Sequence, residues 1–280
     1  MPIIGQGQET YLYITGLSLS CNIKLASGIS LLPVNCPINW NCALSLLKND
    51  VEIAIAVLCS HSIGAQLKIE ASDSKELAIK TWNTQWDIIL LSAILNSSMN
   101  WSLQSNVPIE KITSESRLNI TNYNLHGIIV DPYVISAEET TWVQNNFSFA
   151  QKLLDNNDAF MTAVHAMATY TWHSMPRIQL AILWTGIEAL FGVTSELSFR
   201  ISLYIANFLA DDVKEAKSLA YRVKKLYGIR SSAVHGNKLK DKDREMVKET
   251  AILLQRLIRK CIANKMLPNI DELLFFDFDH

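Results

Sequence analysis

Ser136-Ala-Glu-Glu139 is where this chain of 280 residues changes character. A serine followed three residues later by glutamate has the form of a capping box, in which the two side chains satisfy backbone N–H groups that the first turn of a helix leaves open. Upstream, short β-like runs alternate with turn residues, and downstream almost everything reads as helix. The stretch therefore predicts an α+β module over residues 1–135, suited to recognition or regulation, followed by an all-α up-down helical bundle over residues 136–280. Two domains also match the usual prior of about 150 residues each.

Going forward from the box, one helix runs to about Leu154, where Asp155-Asn-Asn-Asp158 breaks it. A second covers Ala159 to about His173. Pro176 suits the first turn of a third, PRIQLAILWTGIEALF, which Gly192 closes. In SELSFRISLYIANFLADD, the residues Leu197, Ile201, Tyr204, Ile205 and Phe208 form one apolar stripe with Arg200 at its edge. A fifth helix covers DVKEAKSLAYRVKKLYG, and a sixth covers DREMVKETAILLQRLIRKCIANKM with Met246, Leu253, Leu257 and Cys261 on its apolar face. Six amphipathic segments with short connections make a bundle. The tail DELLFFDFDH sets Phe275, Phe276 and Phe278 among acids and is expected to dock on the protein's own surface or on a dimer partner.

Going backward, TYLYITGLSLSCNIKL, VEIAIAVLC, AQLKIEAS and GIIVDPYVIS read as strands. SKELAIKTWNTQWDIILLSAIL reads as a helix with Leu77, Trp82, Trp86, Ile89 and Leu90 as its apolar positions. The clusters NSSMNWSLQSN and NITNYN read as loops.

Composition narrows the classes. Apolar residues at 49% and charged residues at 19% exclude a disordered chain. The longest apolar runs fall well short of the ~20 residues that span a bilayer. MPIIGQGQET lacks the basic start and apolar run of a signal peptide, which predicts a cytoplasmic location without membrane attachment. Cys21, Cys36, Cys42, Cys59 and Cys261 form no C-x-x-C pair and read as reduced, mostly buried thiols. Nothing completes a metal-ligand set around His165 and His173, so no metal is expected. His61 and His126 sit near turns, and Gly5-Gln-Gly7 lacks the ending of a phosphate loop.

Charge is unevenly placed. Lys214 to Lys265 hold 15 Lys and Arg against 5 Asp and Glu, while the rest of the chain holds 10 against 22. That asymmetry predicts a polyanionic partner, against the alternative of two solvated helix faces. The residues expected on RNA phosphates are Arg222, Lys224, Lys225, Lys238 and Lys240.

Between the fifth and sixth helices lies Tyr227-Gly-Ile-Arg-Ser-Ser-Ala-Val-His-Gly-Asn237. Taken with LWTGIEALFG and ELSFRISLYIANFL in the same order, it resembles the HEPN superfamily, and most closely its ApeA-like branch, whose hallmark is R-x-x-x-x-H followed by glycine. The resemblance covers roughly Ser136 to Lys265. Arg230 and His235 match the hallmark and Gly236 follows in place; Ser231 stands where many catalytic members carry Asn, Asp or His. The resemblance implies metal-independent RNA cleavage by a homodimer without a cofactor, with paired motifs meeting across the interface. It also implies a role in phage defence or as a toxin, and a regulatory protein or antitoxin as partner. The same bundle without catalysis would be a dimerisation or nucleic-acid-binding module.

The residue types suit the chemistry. RNA is cut without metal when its 2′-OH attacks the adjacent phosphate, which needs a group that moves a proton and a cation that stabilises phosphorane charge. Histidine titrates near neutral pH, and arginine offers phosphate a permanently charged fork of donors. Arg230 and His235 are thus the catalytic candidates, with Ser231, Glu188, Arg200, Tyr227 and Asn237 as supporting residues; Glu188, in an apolar helix, is expected to pair with Arg200 or Arg230. On one straight helix, positions five apart stand ~140° from each other. A helix break at Gly228 or Gly236, or a second subunit, removes that mismatch. The alternative is that both residues cap the negative end of the fifth helix.

Overall fold

In a computed structural model, Glu139 N–H donates to Ser136 Oγ at 3.1 Å and Ser136 N–H donates to the Glu139 carboxylate at 3.1 Å, closing the capping box. The structure describes residues 7–123, 131–193, 197–234 and 243–274. It divides into two compact units, Met1–Ile89 with Ser97–Ser148, and Leu90–Asn96 with Phe149–His280. The layout is α+β followed by a helical bundle. Among the described residues, no helix is long and apolar enough to cross a membrane.

The first unit is built on a six-stranded antiparallel sheet ordered β3-β4-β5-β1-β6-β7, from β1 (Glu9–Thr15), β3 (Ile23–Ala26), β4 (Ile29–Pro33), β5 (Ile63–Glu70), β6 (Asn100–Ser105) and β7 (Leu118–Ile120). The short strands β2 (Leu17–Ser18) and β8 (Tyr133–Val134) pair in parallel beside it. Register places Ile23, Leu31, Leu67 and Leu12 in one row across four strands, all at most 1% exposed. On the opposite face Tyr11, Tyr13, Leu103, Leu118 and Ile120 form a core with Ala43 of α1 (Trp40–Ser45) and with Ile55, Ala56 and Cys59 of α2 (Asp50–Cys59).

Four sequence expectations are corrected here. VEIAIAVLC is α2 and not a strand: Asn49 accepts from the Glu52 amide at 3.0 Å, and Asp50 and Glu52 occupy the positive first turn. NSSMNWSLQSN is not a loop over its length, because Asn100–Ser105 form β6 beside the central strand with every residue buried. Its polar side chains are tolerated because Gln104 donates to Thr10 Oγ1 at 3.0 Å and Thr10 donates to the Ser105 carbonyl at 2.9 Å. Helix α3 (Ser74–Leu95) forms as expected, but it buries Leu77, Thr81, Thr84, Ile88 and Leu91 and leaves Trp82 and Trp86 exposed. The thiols are corrected too: Cys59 and Cys261 are buried, whereas Cys21 and Cys36 are exposed and Cys42 is half-buried.

The second unit holds the end of α3, the second half of α4 (Ala137–Asn156), and helices α5 (Asp158–Thr169), α6 (Pro176–Phe191), α7 (Leu197–Leu209), α8 (Val213–Val234), α9 (Asp243–Asn264) and α10 (Ile270–Leu274). Asn157 caps α5 through the Phe160 amide at 3.0 Å, so the polar cluster at 155–158 both ends one helix and starts the next. Pro176 opens α6, and Gly192, left-handed at φ 59°, closes it by donating to the Glu188 carbonyl at 3.0 Å. One expectation fails: α8 does not end at Gly228 but continues to Val234, so Gly228 is no helix break. His126 and Phe275, Phe276 and Phe278 lie outside the described residues, as does Gly5.

Helix α6 lies against α5, α8 and α9. Gly186 permits this, because a Cβ there would stand 2.8 Å from Ala166 Cβ, 3.1 Å from Leu254 Cδ2 and 3.2 Å from Ala163 Cα. Alanine is favoured over glycine by about 1 kcal/mol in a helix, whereas overpacking a filled core costs about 1–3 kcal/mol. Gly186→Ala is therefore expected to lower stability in urea denaturation by up to about 2 kcal/mol. Increased stability would contradict the close approach of α5 and α9 to α6.

Candidate functional site

Two helices each supply one aromatic ring and one charge at one-turn spacing. On α6 these are Trp184 and Glu188, four residues apart; on α8 they are Tyr227 and Arg230, three apart, and such spacings put both members on one helix face. Trp184 is fully buried and meets Tyr227 edge-to-face, with ring centroids 5.0 Å apart. The guanidinium carbon of Arg230 stands 5.5 Å from the Tyr227 ring centre. Arg230 Nη2 lies 3.3 Å from Glu188 Oε1 and donates a long bond of 3.4 Å to Oε2.

The pair is only about a quarter exposed, with side-chain values of 24% for Arg230 and 22% for Glu188. Burial raises the Tyr227 phenol above its ordinary pKa, the negative charge of Glu188 adds to the rise, and Arg230 offsets part of it. Arg230 Nε, Glu188 Oε1 and Trp184 Nε1 are buried without a hydrogen-bond partner among the described residues. Polar atoms with spare hydrogen-bonding capacity are thus concentrated where α6 meets α8.

Of the two arginines expected for Glu188, Arg230 makes the ion pair. Arg200, on α7, donates to the Tyr204 hydroxyl from Nε at 3.2 Å and from Nη2 at 2.9 Å. Arg222, one of the residues expected on phosphate, grips Glu249 of α9 at two points, Nε to Oε1 being 2.9 Å. Arg256 of α9 reaches Glu215 of α8 at 3.5 Å. The two pairs cross-link antiparallel helices with opposite polarity, so Arg222 is employed within the bundle. Lys224 and Lys225 are exposed, and Ser231 is half-buried directly after Arg230 within α8. His235, Gly236, Asn237, Lys238 and Lys240 lie outside the described residues.

Sequence reasoning missed Trp184; the available signal was its position one turn before Glu188. His165 lines an open hollow of about 370 Å³ with Met161, Thr162, Thr169, Ile182 and Thr185, and burial lowers its pKa. Among the described residues, no group of three or more His, Cys, Asp or Glu side chains is placed to hold a metal ion. Burial raises the thiols of Cys59 and Cys261, the latter to about 12, far from a reactive thiolate.

Compared with protein-family models, curated proteins and solved structures, the chain matches none. The geometry of Glu188, Tyr227 and Arg230 therefore carries the functional argument together with the motif.

A double-mutant cycle on Glu188→Gln and Arg230→Gln, read by urea denaturation at neutral pH, is expected to give a coupling of about 1 kcal/mol, in the range for contacting partners. Strict additivity of the two substitutions would mean that the pair contributes nothing to holding α6 against α8.

Proposed function

We propose that this chain is a HEPN-like endoribonuclease that cleaves RNA without a metal ion, using Arg230 and His235 contributed to one site by two copies of the chain. The observation that carries the reading is the Arg230 guanidinium, oriented by Glu188 and by the Tyr227 ring near the end of α8. His235 follows Val234, the last described residue of α8, directly in the sequence. Because α8 runs unbroken through Gly228, a break there does not bring the two residues together, which leaves a break at Gly236 or a second subunit, and the reading takes the second subunit.

In the reaction, a base removes the proton of the ribose 2′-OH, whose oxygen attacks the adjacent phosphorus. The P–O5′ bond breaks, and the 5′-oxygen leaves with a proton. The products are a 2′,3′-cyclic phosphate and a 5′-OH, so atoms and charge balance with no external reactant. His235 moves the proton, and Arg230 stabilises the extra negative charge on the phosphorane. Glu188 positions Arg230, and Tyr227 supports that placement. Phage defence or a toxin role in the cytoplasm, held in check by a regulatory protein or antitoxin, belongs to the same reading.

A second reading is a bundle that dimerises or binds nucleic acid without cutting it. The ion pair favours it to the extent that Glu188 already neutralises Arg230, and Ser231 adds no charge beside it. End-labelled RNA incubated with the protein in EDTA separates the two. Cleavage with 2′,3′-cyclic phosphate ends is expected, with His235→Ala slowing it by roughly 10²–10⁴-fold, the usual contribution of general acid–base catalysis, while leaving the fold intact. Cleavage that depends on added divalent metal would overturn the mechanism, and RNA binding without cleavage would establish the second reading.

A further inference from the structure

The exposed side of α8 carries a feature that the catalytic reading does not use. At 100° per residue, Lys214, Lys217, Tyr221, Lys224, Lys225 and Gly228 fall within an arc of about 100° on the helix. Tyr221 is 78% exposed, an unusual position for an aromatic ring, and it stands one turn from lysines on either side. All four lysines are exposed, and none forms an ion pair among the described residues. Arg222 and Glu215, by contrast, are paired with α9. The face is therefore uncompensated positive charge interrupted by one bare ring.

Gly228 gives an independent observation. A glycine inside a helix costs about 0.5–1 kcal/mol relative to alanine. At Gly186 the packing explains that cost, but a Cβ at Gly228 would meet nothing within 4 Å. Among the described residues no packing requires glycine there. A smooth gap on the same face, one to two turns beyond Tyr221, lets a bulky ligand backbone approach the helix closely.

We propose that this face is a track for single-stranded RNA. One base stacks on Tyr221, flanking phosphates pair with Lys217, Lys224 and Lys225, and the sugar–phosphate backbone crosses Gly228 toward the end of α8. The inference rests on the nuclease reading for the choice of RNA, and it names how the strand is held. A ring available on its face suits a single strand, whose bases are free to stack, and not a duplex, whose base faces are covered. Arg230 points from the other side of the helix toward α6, so the track holds the strand and takes no part in bond cleavage.

The test uses the full chain and a fluorescein-labelled 2′-O-methyl oligouridine 12-mer, which lacks the attacking hydroxyl, with binding read by anisotropy across a salt series. Tyr221→Ala is expected to weaken binding by roughly tenfold, in line with loss of one base–aromatic stack, without changing the salt slope, and Tyr221→Phe is expected to preserve affinity. Lys224→Glu with Lys225→Glu is expected to flatten the log–log slope by about 0.7 per lost contact. Gly228→Ala is expected to stabilise the fold while weakening binding. Unchanged affinity in Tyr221→Ala overturns the track, as does equal affinity for a duplex of the same length. So does Tyr221-dependent retention on phosphatidylserine vesicles with no oligonucleotide binding. Tyr221-dependent binding in a protein that cuts no RNA keeps the track and removes the nuclease reading. Cleavage of ordinary RNA at full rate by Tyr221→Ala does the reverse.

Discussion

The bundle depends on how closely α5 and α9 approach α6 at Gly186. Helix axes usually stay 8–10 Å apart according to the side chains between them, and removing the side chain at the crossing lets α6 sink between its neighbours. The residues on either side of that glycine then inherit their positions. Trp184 and Glu188 flank it by two residues in each direction and face α8, where they meet Tyr227 and Arg230. Packing on one side of α6 thereby sets the electrostatics on the other.

The Glu188–Arg230 pair admits two functions, and its geometry bears on the choice between them. A strong bidentate pair would occupy the guanidinium and cancel its charge, as Glu249 does for Arg222. Here the contacts are long and come from one nitrogen, Nη2, at 3.3 and 3.4 Å. Arginine has five donors, so a phosphate has others to use. The Tyr227 ring and the carboxylate restrict where the fork points without exhausting it. That arrangement suits a residue that is to be oriented before charge develops nearby, and the buried unpaired atoms of the cluster are consistent with an incomplete set of partners.

Much of the bundle was legible because its signals are local. Ser136 with Glu139, Asn157, Pro176 and Gly192 each punctuate a helix by a mechanism confined to one turn. The sheet was less legible because its signals are not local. The buried Gln104 and Thr10 are satisfied by bonds such as the one between them, 94 positions apart, so β6 reads as a polar loop until the strands are paired. Helix α2 was missed although Asn49 and Glu52 have the same spacing as Ser136 and Glu139; its uninterrupted apolar run outweighed the cap. The ion pair was half legible, since a glutamate in an apolar helix demands a cation but not a particular one. The pairing of Arg222 with Glu249 was not legible because its partner lies on another helix, and charge counting along the chain does not register cross-links. Gly228 reads as a candidate break when its cost to a helix is weighed without the gain from the flanking turns of α8.

The central claim is that Arg230 of one chain and His235 of another complete a single RNA-cleaving site. Mixing Arg230→Ala protein with His235→Ala protein, after allowing subunits to exchange, tests it most directly. In a two-fold dimer with composite sites, half the molecules in an equal mixture pair one variant with the other, and each such dimer keeps one intact site of two. Two inactive proteins should then regain about a quarter of the wild-type cleavage rate. If the mixture stays as inactive as its components while subunit exchange is demonstrated, the two residues do not work across an interface and the account is wrong.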